Sequence, residues 1–237
     1  MKKERLDKIL SSQNIGTRKE VGKLIRSGCV AVNGVAVIKP QTVVDASSET
    51  ITVNGQQVCV KKYLYIMMNK PQGVLSASRD KSARTVTDLL PQEWHRRCIF
   101  PAGRLDKDTE GLLILTDDGA FAHKMLAPKS HVVKWYEARL SSPVTEEDRK
   151  AFRSGILLSD AACLPAELKV LKQGDNPLVL VGLREGKFHQ VKRMFQARNN
   201  HVLTLKRVRI GNLFLDTSLG AGEARELSKL ETEEIFY

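Results

Sequence analysis

The sequence has no apolar run near the roughly 20 residues that a membrane-spanning helix requires, so a membrane protein built on helices lacks support. No apolar stretch stands behind Met1-Lys2-Lys3-Glu4-Arg5, and no secretory signal is expected. Cys29, Cys59, Cys98 and Cys163 lie far apart, with no CxxC pair to point to zinc or a redox motif. Free thiols in a reducing cytoplasm are the expectation. Neither an internal repeat nor a low-complexity tract is found. Negative charge is also short: 27 Asp and Glu stand against 38 Lys and Arg in 237 residues, a net +11. With the membrane option unsupported, that excess favours a nucleic acid as partner.

What is present can fill a core, since 42% of the residues are hydrophobic. The charge is unevenly placed. Residues 1–62 hold 11 basic and 5 acidic side chains, so a quarter of the chain carries more than half of the net charge. This predicts a small basic module over 1–60 and a larger, nearly balanced body over 61–237, with Lys61-Lys62 at the boundary.

Leu6, Ile9 and Leu10 form one apolar helical face. Thr17-Arg18-Lys19-Glu20 reads as a capping box, opening a helix with Val21, Leu24 and Ile25 inside and Gly28 just past its end. Its other side carries Lys19, Lys23 and Arg26 at i, i+4, i+7. Such a stripe is usually just a solvated face. In the most charged segment of the chain, beside a compact hairpin, it points instead to phosphate binding. Two Asn-Gly pairs, at 33–34 and 54–55, each join short β-runs. The stretch resembles the S4 RNA-binding module in Arg5-Leu6-Asp7-Lys8, Thr17-Arg18, Ile25-Arg26-Ser27-Gly28 and Val30-Ala31-Val32-Asn33-Gly34, which makes Arg5, Arg18, Lys19, Lys23 and Arg26 candidate RNA contacts.

Beyond it, strands are expected at 63–68, 112–116, 132–140, 166–171, 178–183 and 202–209, with helices at 120–126, 146–153 and 190–198. Strand and helix do not alternate strictly, so the fold class is α+β with a largely antiparallel mixed sheet.

The densest polar cluster is Gly103-Arg104-Leu105-Asp106-Lys107-Asp108-Thr109-Glu110-Gly111. Asp106, Asp108, Glu110, Gly111 and Asp117 fall at positions 1, 3, 5, 6 and 12 of an EF-hand loop. Calcium is rejected because Pro101 and Gly103 oppose an entering helix, 112–115 is an unbroken apolar run, and Asp is too short for the bidentate twelfth ligand. A two-metal nuclease finds no further carboxylate or His cluster nearby. A single carboxylate on a loop before a rigid strand is the alternative. A solvated acidic turn would account for Asp108 and Glu110, but it leaves Asp106 less comfortable, beside a rigid, partly apolar element.

Gly103-Arg104-Leu105-Asp106, followed by Thr109-Glu110-Gly111-Leu112-Leu113-Ile114-Leu115-Thr116-Asp117-Asp118-Gly119, resembles the signature of the RsuA-type pseudouridine synthases. Asn69-Lys70-Pro71-Gln72-Gly73, Lys134-Trp135-Tyr136 and Glu185-Gly186-Lys187-Phe188-His189-Gln190-Val191-Lys192-Arg193-Met194 match further blocks in the expected order. The resemblance implies Asp106 as the catalytic aspartate, Tyr136 as the tyrosine under the target base, and Lys192 as the cation paired with Asp106. It also implies that Arg104 is a wedge for base flipping, that Lys70 and Arg193 hold phosphates, and that His189 and Gln190 shape the pocket. The family usually has Thr where Trp135 stands; on a strand that side chain faces away from Tyr136. Pseudouridine formation is an isomerisation, and no cofactor or metal is expected. Lys192 in the first turn of a helix, where the macrodipole disfavours a cation, fits a carboxylate partner.

Lys206, Arg207 and Arg209 read equally well as RNA surface or as a solvated edge strand, and His95, His123, His131 and His201 have no ligand spacing. Lys70-Pro71-Gln72-Gly73, Phe188-His189-Gln190-Val191-Lys192-Arg193-Met194 and Asn200-His201-Val202 resemble the family's small-subunit branch, which implies conversion of a uridine in small-subunit ribosomal RNA, at uridine 516 of 16S RNA in the family's RNA numbering, by a cytoplasmic monomer. The alternatives are a large-subunit target, or a non-catalytic RNA-binding assembly factor, which would not require Asp106, Tyr136 and Lys192 together.

Overall fold

The computed structural model describes residues 3–95 and 97–237, and the side chain of Pro128 is outside the description. The chain divides into two compact units, one of residues 1–64 with 91–98, the other of 65–90 with 99–237.

In the first unit, a two-stranded ribbon pairs β1 (Glu4–Arg5) with β4 (Val43–Val44), beside α1 (Leu6–Ser12) and α2 (Arg18–Arg26). A four-stranded sheet joins β2 (Val30–Val32), β3 (Val35–Ala36), β5 (Ile51–Val53) and β6 (Gln56–Gln57) in the order β3-β2-β5-β6. The local signals act as expected. Thr17 accepts from the Glu20 N–H at 3.2 Å while Glu20 accepts from the Thr17 N–H at 2.7 Å. Asn33-Gly34 and Asn54-Gly55 all have positive φ, the backbone a type I′ turn demands. Leu6, Leu10, Val21, Ile25 and Ile51 close a core between helices and sheet, and Lys19, Lys23 and Arg26 lie exposed on the outer side of α2. Segment 91–98 belongs to this unit although the expected boundary lay at 61; Arg97 donates to the Lys61 and Lys62 carbonyls at 3.1 and 2.7 Å.

The second unit is a nine-stranded mixed sheet with path β11-β12-β10-β13-β9-β7-β15. Its strands are β7 (Tyr65–Lys70), β8 (Phe100–Pro101), β9 (Glu110–Thr116), β10 (Lys134–Leu140), β11 (Glu167–Lys172), β12 (Leu178–Leu183), β13 (Val202–Ile210), β14 (Leu213–Phe214) and β15 (Ala224–Glu226). β8 pairs with β9 and β14 with β13. Every pairing is antiparallel except β9 with β13, where Glu110 and Gly111 face Lys206 and Arg207. The helices are α3 (Gly119–Leu126), α4 (Glu146–Ser154), α5 (Gln190–Gln196) and α6 (Lys229–Glu234). Phe152 of α4 and Val191, Met194 and Phe195 of α5 pack on Ala138, Leu140, Val179, Val181 and Leu205; Ala122 and Met125 of α3 pack on Met67, Leu112, Ile114 and Ile210.

β13, whose cations read equally well as RNA surface or as a solvated edge, lies in the middle of the sheet between β10 and β9. A bulge shapes it. Trp135 faces Arg209 and Tyr136 faces Arg207, so Val208 is the extra residue. Burial follows: Leu205, Arg207 and Ile210 are buried, whereas Lys206, Val208 and Arg209 are only half covered on the other face.

A candidate active site on the loop before β9

The loop between β8 and β9 is fixed from several directions. Leu105 is buried, and Ser76 both accepts from its N–H at 3.0 Å and donates to its carbonyl at 2.8 Å. The Gly73 N–H donates to the Lys107 carbonyl at 2.7 Å, and the Thr109 N–H to the Asp106 carbonyl at 3.1 Å. From β7, the fully buried Lys70 ammonium donates to the carbonyls of Pro71 at 3.0 Å, Asp106 at 3.1 Å and Thr109 at 2.9 Å, and more weakly to Lys107 at 3.5 Å. Burial drives its pKa down to about 8. At the loop's far end Gly111 has φ +100°, and a Cβ there would lie 2.2 Å from the Arg207 carbonyl oxygen. The close parallel approach of β9 and β13 thus requires glycine.

With its backbone pinned, the loop presents two carboxylates to different surroundings. Asp108 is 68% exposed, and Lys192 of α5 donates to both its oxygens at 2.5 and 2.6 Å. That cation holds the Asp108 pKa below the usual carboxylate range. Asp106 is 32% exposed, and its Oδ1 lies 3.6 Å from Nε2 of His189. His189 precedes α5 with φ +46°, a left-handed backbone that costs a non-glycine residue on the order of 1 kcal/mol. Its ring stacks on Phe188 at 3.8 Å, and Phe188 is 74% exposed. Gln190 accepts from the Lys187 N–H at 2.8 Å and donates to Glu185 at 2.7 Å, closing the turn that aims His189.

Tyr136 is half buried on β10, with the Arg207 guanidinium 6.0 Å from its ring centre. Arg207 is buried, and its Nε donates to the Leu112 carbonyl at 2.7 Å; Nη2, like the Thr109 hydroxyl, is enclosed without a protein partner. Lys134, two residues before Tyr136, is also buried, which lowers its pKa. Among the described residues no group of three or more His, Cys, Asp or Glu is arranged to hold a metal.

Residues 64–197 match the family described as RNA pseudouridylate synthase, and residues 4–51 match the S4 domain. The chain belongs to the RNA pseudouridylate synthase family. It is 44% identical over 96% of both chains to an uncharacterised RNA pseudouridine synthase of Bacillus subtilis. A ribosomal small subunit pseudouridine synthase A of Vibrio cholerae is 38% identical, over 98% of this chain and 99% of that one. A ribosomal large subunit pseudouridine synthase B of B. subtilis is 36% identical, over 98% and 95%. A crystal structure of a pseudouridylate synthase, 36% identical, superposes with a TM-score of 0.68 over 98% of this chain and 99% of that one.

Within this pseudouridylate synthase fold, three side chains are placed otherwise than the sequence led us to expect. Lys192 pairs with Asp108, not Asp106, because the turn of loop after Asp106 carries Asp108 toward α5. Lys70 is an internal strut, sealed from solvent and saturated with backbone carbonyls, so it has no donor to offer a phosphate. Arg193 forms an ion pair with Asp160 and donates to the Phe188 carbonyl at 3.3 Å, so its guanidinium is already engaged. Arg104 is exposed beside the loop. In the S4 unit, Arg5 pairs with Asp7 at 2.8 Å and Arg18 approaches the same carboxylate at 3.7 Å, while half or more of each cation stays open. Sequence reading missed Ser76, the left-handed His189, and the burial of Arg207 under Tyr136; a Ser 29 residues from its partner Leu105 leaves no local signal.

Proposed function

We propose that the chain isomerises a uridine to pseudouridine in small-subunit ribosomal RNA, at the position equivalent to uridine 516, as a cytoplasmic monomer. The observation that carries the reading is the contrast between the two loop carboxylates. Asp108 is neutralised by a lysine, whereas Asp106 stands on a backbone pinned by Lys70 and Ser76, with the His189 ring alone among the described residues within ion-pair reach. That is the disposition of a pre-positioned nucleophile.

The steps follow from the chemistry of the side chains. Arg104, exposed at the rim, fills the stack vacated when the uridine flips out, a displacement costing a few kcal/mol. Tyr136 lies under the base. Asp106 attacks the nucleoside or its sugar, and the C1′–N1 bond breaks. The uracil turns and C5 bonds to C1′ as the bond to Asp106 breaks and frees its carboxylate; the proton on C5 leaves and N1 gains one, so atoms and electrons balance without an oxidant or co-reactant. Lys192 acts through Asp108 as a positioning residue for the loop. Exposed Lys19, Lys23 and Arg26 supply sequence-independent phosphate contacts.

The reading is tested by tritium release from C5-labelled uridine in 16S RNA with chelator present. Wild type should turn over and Asp106→Asn should not, while still binding RNA. Mapping pseudouridine in ribosomal RNA from cells lacking the protein assigns the target: loss of a large-subunit site would refute the small-subunit assignment, and no loss anywhere would favour a non-catalytic assembly factor.

A further inference from the structure

The opposite face of the sheet carries a second polar and aromatic site. Side chains alternate along β10, so Trp135 and Glu137 project away from Tyr136, and the bulge at Val208 puts Lys206 and Arg209 on their side. With Lys169 of β11 and Phe214 of β14, they line a cavity of about 560 Å³, within the range of small-ligand sites. Trp135 has room because its cross-strand neighbour is Gly182, where a Cβ would meet the indole at 2.9 Å. The indole lies between two cations, with Lys169 Nζ at 5.0 Å and the Arg209 guanidinium at 5.7 Å. Arg209 also covers the Phe214 ring at 4.8 Å and is held flat by bonds to the Gly211 carbonyl and Asn212 side chain, both 2.6 Å. Phe214 is 62% exposed.

The charge balance identifies the occupant. Lys206 and Arg209 meet one acid without an ion-pair partner among the described residues, Glu137, because Lys169 pairs with Glu167 at 3.3 Å and Asp216 at the margin pairs with Arg225 at 2.6 Å. An open ring flanked by fixed cations is what single-stranded nucleic acid uses, bases stacking on the ring and phosphates on the cations. Glu137 among them offers an acceptor to a base carrying an exocyclic amine, as cytosine does, and uracil has none. We propose that this face is an RNA exosite, binding an unpaired nucleotide with an amine-bearing base outside the target region. It stacks on the exposed Phe214 ring, near the buried Trp135 indole that reports it, with its phosphate on Lys206. The inference rests on the RNA substrate proposed above. Lying on the face away from Tyr136, the exosite serves only an RNA large enough to reach both faces.

The chain has two tryptophans, Trp94 and Trp135, so Trp94→Phe leaves Trp135 as the only indole. Oligocytidylate should then quench its fluorescence, more strongly than oligouridylate, and Phe214→Ala or Lys206→Glu should each weaken that binding about tenfold. On 16S RNA the same two variants should raise KM about tenfold with kcat unchanged, and should leave KM on a short stem-loop carrying the target uridine as in wild type. Phe214 and Lys206 are partly or largely exposed, so both variants keep the fold. Unchanged quenching and KM, equal losses on both RNAs, or concentration-dependent dimers broken by Phe214→Ala would overturn the exosite. The oligonucleotide arm needs no turnover, so failure of the enzymatic reading alone would leave it intact.

Discussion

Replacing Lys70 by Met keeps the length of the side chain and removes its ammonium. The carbonyls of Pro71 and Thr109 lose their donor at 3.0 and 2.9 Å, whereas that of Asp106 keeps the Thr109 N–H at 3.1 Å. Each unsatisfied carbonyl costs about 1–3 kcal/mol. Against this stands the relief of burying a cation: a pKa lowered from 10.5 to about 8 corresponds to about 3 kcal/mol. The net loss is about 1 kcal/mol, which in a chain of this size lowers Tm by roughly 2–4 °C. Turnover well below Tm should fall by less than about tenfold, because Ser76 and Gly73 still hold the loop. RNA affinity and its salt slope should not change. Calorimetry with salt-dependent RNA binding decides the matter. A phosphate-binding lysine would lower affinity and reduce the salt slope by about one while sparing Tm; that outcome would refute the strut. The pH dependence gives a sign. The folded-state pKa lies below the unfolded one, so between about pH 8 and 10.5 the unfolded chain binds more protons and wild type gains stability as pH rises. Lys70→Met should lack that gain.

Further variants probe the site and the S4 unit. Asp108→Asn and Lys192→Met should each reduce turnover modestly and non-additively, as partners in one exposed ion pair worth about 1 kcal/mol or less, whereas Asp106→Asn abolishes it; equal loss at Asp106 and Asp108 would remove the distinction between them. Gly111→Ala sets a Cβ 2.2 Å from the Arg207 carbonyl oxygen and should cost more than about 3 kcal/mol or prevent folding, read by denaturant unfolding; near-wild-type stability would show that β9 and β13 can move apart. Reversing Lys19, Lys23 and Arg26 to Glu should weaken RNA binding and flatten its salt slope without changing Tm, since all three are exposed on α2. An unchanged slope would leave the stripe as a solvated face.

Much of the fold was legible because its signals are local. The Thr17 capping box, the Asn-Gly turns and Gly28 act through neighbours within a few residues, so sequence spacing alone determines their geometry. The apolar run at 112–115 likewise specified a buried strand, and the motif around Asp106 marked the loop beside it. Tertiary structure alone decided what each charged side chain does there. Lys192 meets Asp108 across 84 residues, Arg193 meets Asp160 across 33, and Lys70 reaches the carbonyl of Asp106 across 36. A cation's role is set by whichever acceptor the packing brings within about 3 Å and by how much water it excludes. Neither quantity is written in spacing along the chain. The single extra residue at Val208 is the same case: in sequence Lys206, Arg207 and Arg209 look alike, and only the pairing register of β10 and β13 sends Arg207 into the core and its neighbours to the open face.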